Sequence, residues 1–359
     1  MTEEPDRHPS APHPRGTAAL FGQEAAERAF LDAEAAGRLH HGWLLTGPRG
    51  VGKATLAWRI ARHLIAGETA ASLDMTPDNP TFRQVAALAS PQLFLARRPW
   101  DDKTERLRTA ITVDEIRAMT GFFHLTAADG GRRVAIVDPA DELNGPAANA
   151  LLKILEEPPR HSVLLLVSHR PAGLLPTIRS RCRELRLGSL APAPLAQALA
   201  TAGAEAPDDP RLAILAGGSV AAALDLVAGG GLALYAEIVA LLGTSPLDRR
   251  RLLALADAAA GRAGAARYAM TLDLAGLALG RLALAASGAA PEAFSPAEAG
   301  LFAGIGATPA QAKLWATLVP RLAERTTHAR AVNLDPAQVI LDTFLTIDAA
   351  AAEARAHAA

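Results

Sequence analysis

Cysteine is almost missing: Cys182 is the single one in 359 residues. One thiol forms no intramolecular disulfide and cannot build a cysteine cage around zinc, so the fold must hold without either. Aromatic residues are scarce too, at 4%, although half of all residues are apolar. That balance favours helices packed through small side chains, alanine above all. Neither sign of charge is in excess. The formal net charge of −1 gives no global basic field for nucleic acid, so any contact with nucleic acid is local or made by partners. The first 18 residues mix Pro, His, Arg and acidic residues without the apolar stretch of a secretory leader. Later alanine-leucine stretches are interrupted by charges such as Asp273 and Arg281, so no run is expected to span a bilayer. Together these absences predict a cytoplasmic protein in a reducing compartment, with no membrane partner.

What is present begins with a disordered tail, residues 1–18. A helical pattern runs from Gly22 to Gly37. The apolar run Trp43-Leu44-Leu45-Thr46 then feeds a glycine loop, and helical periodicity follows from Ala54 to Ala66. Strand patterns recur at 93–96, 134–137 and 162–168, and 183–187 alternates charged and apolar residues as an edge strand does. Helices are expected after Thr112-Val113-Asp114-Glu115, a capping-box pattern, and from Asn144-Gly145-Pro146 up to Pro158-Pro159. Strands alternating with helices predict an α/β domain with a mostly parallel sheet. Beyond Ala191 the strand signals vanish and Gly/Pro breaks separate helices. The expected domains are 19–188 (α/β), 189–245 (a small helical lid) and 246–359 (an all-α domain).

The loop Gly47-Pro48-Arg49-Gly50-Val51-Gly52-Lys53 fits G-x-x-x-x-G-K between a strand and a helix. Gly47, Gly50 and Gly52 let backbone N–H groups face phosphate oxygens, the helix N-terminus adds positive potential, and Lys53 reaches the terminal phosphates. The loop is altered. Ala54 stands where a working P-loop has the Ser or Thr that holds Mg²⁺, and a one-residue shift turns Thr55 about 100° away on a helix. The strand Val134–Val137 ends in Asp138, placed as a carboxylate that orients Mg²⁺ would be. The next position, where a catalytic glutamate is needed, is Pro139, and Asp141 is poorly placed to replace it.

Several stretches are similar to the clamp-loader family of AAA+ proteins, within it to the bacterial delta-prime branch. They are Leu20-Phe21-Gly22-Gln23, the run from Val137 through Asn144, the run from Ala148 through Pro159, and Ile178-Arg179-Ser180-Arg181-Cys182. The likeness is specific over about 20–188 and fades after 245. It implies a RecA-like AAA+ domain, a lid and a helical oligomerisation collar. It also implies a role in DNA polymerase III: helping ATPase subunits of the tau/gamma type and a delta subunit to place a sliding clamp on primed DNA. Arg181 takes the position of an arginine that reaches a neighbour's ATP, a task suited to a planar, always charged guanidinium. An ordinary surface arginine, or one paired with Glu184, is the plainer alternative. Ser168 stands in the family's γ-phosphate sensor region. The lid motif near Gly217-Gly218-Ser219-Val220 carries Ala221 where active members have arginine. The Gly67–Ser90 insert has no cysteine, so the zinc module of many relatives does not carry over.

The losses share a direction. Metal hydroxyl, catalytic glutamate and lid arginine are all absent, each costing about 10²–10³ in rate by analogy with one oxyanion contact. Loss of the chain's own ATPase is therefore expected, with weak ATP or ADP binding left open. Two competing readings are an active motor ATPase of the same complex, disfavoured by Ala54 and Pro139, and a small-molecule P-loop kinase, which would need a lid with clustered arginines.

Overall fold

In the computed structural model, residues 4–67, 71–124, 131–205, 209–261, 264–305 and 308–356 are described. The chain divides into two compact units, Met1–Ala206 with Gly217–Leu224, and Pro207–Ala216 with Asp225–Ala359. This division differs from the three parts expected. Helix α7 (Pro192–Thr201) belongs to the first unit, whereas α10 (Gly231–Leu242) packs on the C-terminal helices α12 (Ala265–Ala286) and α13 (Pro296–Ile305) instead of forming a separate lid.

The first unit is built on a five-stranded parallel sheet in the order β2-β5-β6-β1-β7. The strands are β1 (Gly42–Thr46), β2 (Leu93–Ala96), β5 (Arg133–Val137), β6 (Ser162–Ser168) and β7 (Arg183–Arg186). Every residue of β1, β5 and β6 is buried, as the near-continuous apolar runs of a doubly covered sheet require. The edge position of β7, expected from its alternation, is realised: Arg183, Glu184 and Arg186 are exposed and Leu185 is buried. Helix α5 (Gly145–Glu156) starts where Asn144 Oδ1 accepts from the Ala147 N–H at 2.9 Å, with Pro146 in the first turn. It packs against α4 (Val113–His124) over a core that includes Ile116, Met119, Leu151 and Ile154. Sequence reading missed helix α3 (Pro80–Ala86) and the hairpin β3 (Trp100–Asp101) with β4 (Arg106–Leu107). All three lie in the polar connection between α2 (Lys53–Ala66) and α4, too short for a periodic signal.

The N-terminal segment departs from the expected disordered tail, of which residues 1–3 lie outside the described residues. Residues 14–16 form a turn of 3₁₀ helix. The buried Arg62 of α2 donates to the carbonyls of Arg15 and Thr17, both at 2.9 Å, and its guanidinium lies 4.3 Å from the centre of the Phe82 ring. Asp6, with no exposed side-chain surface, pairs with Arg97 and lies 3.2 Å from His13 Nε2. Composition alone reads as a tail, but the carbonyls meet the buried Arg62, whose desolvation demands partners, and the carboxylate of Asp6 meets the partly buried Arg97.

The second unit is helical. Its helices include α10, α11 (Arg249–Asp257), α12 (Ala265–Ala286), α13 (Pro296–Ile305), α14 (Pro309–Ala331) and α15 (Pro336–Ala356). Helix α12 packs against α10, α13, α14 and α15. Contrary to expectation, α12 is by length and composition a candidate membrane span, at 22 residues and mean hydropathy 1.4. The charges at 273 and 281 are too few to break it, and half of its apolar window is covered inside this unit, the position of a core helix. Arg281 of α12 and Glu298 of α13 form a buried pair with two contacts of 2.8 and 2.9 Å. The Tyr235 hydroxyl and the Phe294 N–H also donate to Glu298. Burial opposes ionisation of Glu298, but these donors, Arg281 foremost, hold its carboxyl below the ordinary range. Removing one partner strands a buried charge. Arg281→Met is therefore expected to lower stability in urea unfolding by about 3–5 kcal/mol.

Candidate functional site

The glycine loop leaves β1 at Thr46 and enters α2 at Lys53, at the carboxyl edge of the parallel sheet, where ligands bind in open α/β folds. Two glycines are dictated by contact. A Cβ at Gly47 (φ 140°) would lie 2.2 Å from the Leu187 carbonyl oxygen, and one at Gly50 (φ 74°) would lie 2.3 Å from Ser219 Oγ. The second contact brings Ala221, expected at the lid-arginine position, directly against the loop, and the Val220 N–H donates to Gly50 O at 2.9 Å. Gln23 ties the Leu20–Gln23 stretch to the same place, its amide donating to Val51 O and Gly188 O. A cavity of about 200 Å³ opens here. Gly50, Gly52, Lys53, Ala54 and Thr55 form one side, His169 and Ala221 contribute further walls, and His8, Pro12, Pro14 and Thr17 of the N-terminal segment close it. Thr55 thus reaches the cavity wall together with Ala54, although helix geometry was expected to turn it away.

Lys53 is buried, and its ammonium donates to Gly47 O at 2.8 Å and to Pro48 O, carbonyls of its own loop. Burial pushes its pKa down to about 8 in spite of the opposing charges of Asp138 and Asp141. Asp138, at the end of β5, is buried, and its carboxyl is pushed up to about 7. Desolvation is the main cause, the carboxylates of Asp6, Glu142 and Asp141 add to it, and Lys53 acts against it. Asp141 is fully engaged. It accepts from Ser168 Oγ (2.8 Å), the His169 N–H (2.5 Å) and the Arg170 N–H (3.1 Å). With Pro139 beside Asp138 and Asp141 clamped, no carboxylate at these two positions is placed to receive a proton from water. Ser168, the expected sensor, is fully buried and spends its hydroxyl on Asp141. Its neighbour His169, which sequence reasoning passed over, lines the cavity instead. Among buried polar atoms, its Nδ1 has no hydrogen-bond partner. The proximity of Lys53 and Arg49, after burial itself, pushes the ring down to about 4.

Arg181 lies elsewhere. Register pairs Arg183 with Trp43 and Arg186 with Thr46, so Arg181 precedes the amino edge of the sheet while the glycine loop leaves from the carboxyl edge. Three strand steps separate those paired positions, about 10 Å, before the lead-in on either side is added. The guanidinium is partly exposed (38%). Its Nη2 lies 3.0 Å from Glu156 Oε1 and its Nη1 donates to Thr177 O at 3.2 Å. The alternative partner Glu184 accepts from Thr46 Oγ1 instead.

The raised Asp138 sets a sign. In the folded state it keeps its proton to about pH 7, whereas unfolded it ionises near 4. The contribution of Asp138 to folding stability therefore falls as pH rises from about 4 to about 7 and levels above that. Asp138→Asn is expected to remove a component of a few kcal/mol from this slope, measured by urea unfolding across the interval; an unchanged slope would contradict the burial argument.

Residues 22–191 match the family model described as DNA polymerase III, delta subunit. The Pseudomonas aeruginosa protein "DNA polymerase III subunit delta'" is 38% identical over 213 residues, 59% of this chain and 55% of that protein. The Yersinia pestis delta' subunit is 33% identical, covering 44% of each chain. The Escherichia coli tau subunit is 31% identical over 49% of this chain and 26% of its own. The chain spans about half the length of the curated delta' relatives it matches. Residues 22–191 are thus similar to DNA polymerase III delta-type subunits.

Proposed function

We propose that the chain is a non-motor subunit of a DNA polymerase III clamp loader in the cytoplasm. It would help tau/gamma-type ATPases and a delta subunit place a sliding clamp on primed DNA, and would give Arg181 to the ATP of a neighbouring subunit. The observation that carries this reading is the separation of the two phosphate-directed features. The glycine loop and Arg181 lie at opposite edges of one sheet, so the arginine is out of reach of its own cradle and can serve phosphate only in another molecule. Loss of function in cis supports the same reading. Ala54 offers no metal hydroxyl, Pro139 no base, Asp141 is committed to the 168–170 loop, and Ala221 leaves no lid arginine. A guanidinium supplied in trans is worth about 10³–10⁵ in rate in other phosphoryl-transfer enzymes.

A motor role draws support from identity to tau, but that likeness does not restore the missing groups. In a clamp loader reconstituted with its ATPase subunits, Arg181→Ala is expected to leave assembly intact and to lower DNA- and clamp-stimulated ATP hydrolysis at least tenfold; unchanged hydrolysis removes Arg181 from the mechanism. The purified chain alone is expected to show no sustained ATP turnover with Mg²⁺, and steady turnover would favour the motor reading.

A further inference from the structure

Helix α5 ends in a carboxylate, Glu156, with Glu157 at its cap and Pro158-Pro159 beyond. Negative charge there opposes the helix macrodipole, so Glu156 gains nothing from its place in the helix. It has a defined partner all the same: its Oε1 lies 3.0 Å from Arg181 Nη2. The backbones beneath the pair are fixed by packing. Leu151, Ile154 and Leu155 of α5 share one buried cluster with Ile178 of the short helix α6 (Pro176–Arg179). A Cβ at Gly42 would lie 2.9 Å from Leu155 Cδ2 and 3.4 Å from the Arg181 carbonyl oxygen, so the helix end and the arginine backbone close on the same glycine. On the other side of the guanidinium, Nη1 donates to Thr177 O at 3.2 Å, a carbonyl that also accepts from Ser180 Oγ. Two of the three guanidinium nitrogens are thereby held from different elements, while Nε carries no partner among the described residues.

We propose that Glu156 is a positioning residue, holding the Arg181 guanidinium in the orientation in which it meets the phosphates of a neighbouring subunit's nucleotide. This deepens the in-trans reading of Arg181 given above and rests on it. An arginine side chain has several rotatable bonds, and their freedom is lost when its fork engages phosphate. Holding the fork beforehand removes part of that cost, and a cation already aimed at developing charge needs no rearrangement as the charge forms. The pair is partly exposed, Arg181 at 38% and Glu156 at 48%, and an ion pair in such surroundings is weak. It therefore orients the arginine without keeping it from a phosphate. A carboxylate that masked the arginine would instead bury the guanidinium and leave it no open nitrogen.

The test uses the clamp loader reconstituted from the full chain with its ATPase subunits and a delta subunit, and measures steady-state ATP hydrolysis with clamp and primed DNA present. Glu156→Ala is expected to lower kcat about threefold to fivefold, the range set by an exposed ion pair. KM for ATP stays unchanged, because the neighbour's own site holds the nucleotide and the arginine acts on the transition state. Glu156→Gln keeps the side-chain length and an acceptor oxygen, and is expected to recover more than half of the lost rate. On an Arg181→Ala background, Glu156→Ala is expected to add no further loss, whereas a purely structural role would add one. Hydrolysis by Glu156→Ala at or above the wild-type rate, a raised KM at unchanged kcat, no recovery with Gln, an equal further loss on the Arg181→Ala background, or failure of Glu156→Ala to co-elute with the ATPase subunits overturns the proposal. If Arg181→Ala slows hydrolysis and Glu156→Ala does not, only the positioning role fails. If Arg181→Ala itself has no effect, the in-trans reading fails and the positioning role falls with it.

Discussion

Burial of charge at the carboxyl edge of the sheet is the constraint around which this unit is arranged. Lys53, Asp138 and Asp6 are all withdrawn from water, and an isolated charge in such surroundings is expensive enough that it finds a partner or loses its ionisation. Each of the three does one or the other. Lys53 turns to its own loop's carbonyls, Asp6 to Arg97 and His13, and Asp138 moves toward its neutral form. Asp141, nearby, is consumed by three donors of the 168–170 loop. The glycine loop thus keeps its shape while the charges beside it are occupied internally.

The same constraint explains why the N-terminal segment is ordered. Arg62 sits where its helix leaves it desolvated, and the segment brings carbonyls to it and a carboxylate to the partly buried Arg97. In closing the cavity it also sets the cavity's size. The glycine loop, the 217–221 stretch and residues 8–17 all meet at one place, so a change in any of them is felt by the others.

Arg181 answers to a different geometry. A parallel sheet sends every strand's carboxyl end to one edge, and a residue just before β7 must lie toward the other. That alone separates the arginine from its own P-loop. Its guanidinium, partly exposed, is held there by Glu156 and the Thr177 carbonyl.

Much of this was legible in the residues themselves. Local rules acting over a few positions placed β1, β5 and β6, the glycine loop, the Asn144 cap and the edge character of β7, because continuous apolar burial, glycine at forced backbone angles and alternation leave marks in adjacent residues. The absence of a metal hydroxyl at Ala54 and of a base at Pro139 is likewise a fact of side-chain chemistry, readable without coordinates. What only the tertiary structure decided depends on partners distant in the chain. Arg62 with residues 15 and 17, Asp141 with Ser168 and His169, Arg181 with Glu156 rather than Glu184, and the helices beyond 225 as one unit are all contacts between separated segments. Charged and polar side chains show which groups need partners once buried. Only the folded chain shows where burial occurs and which partner is near enough to answer it.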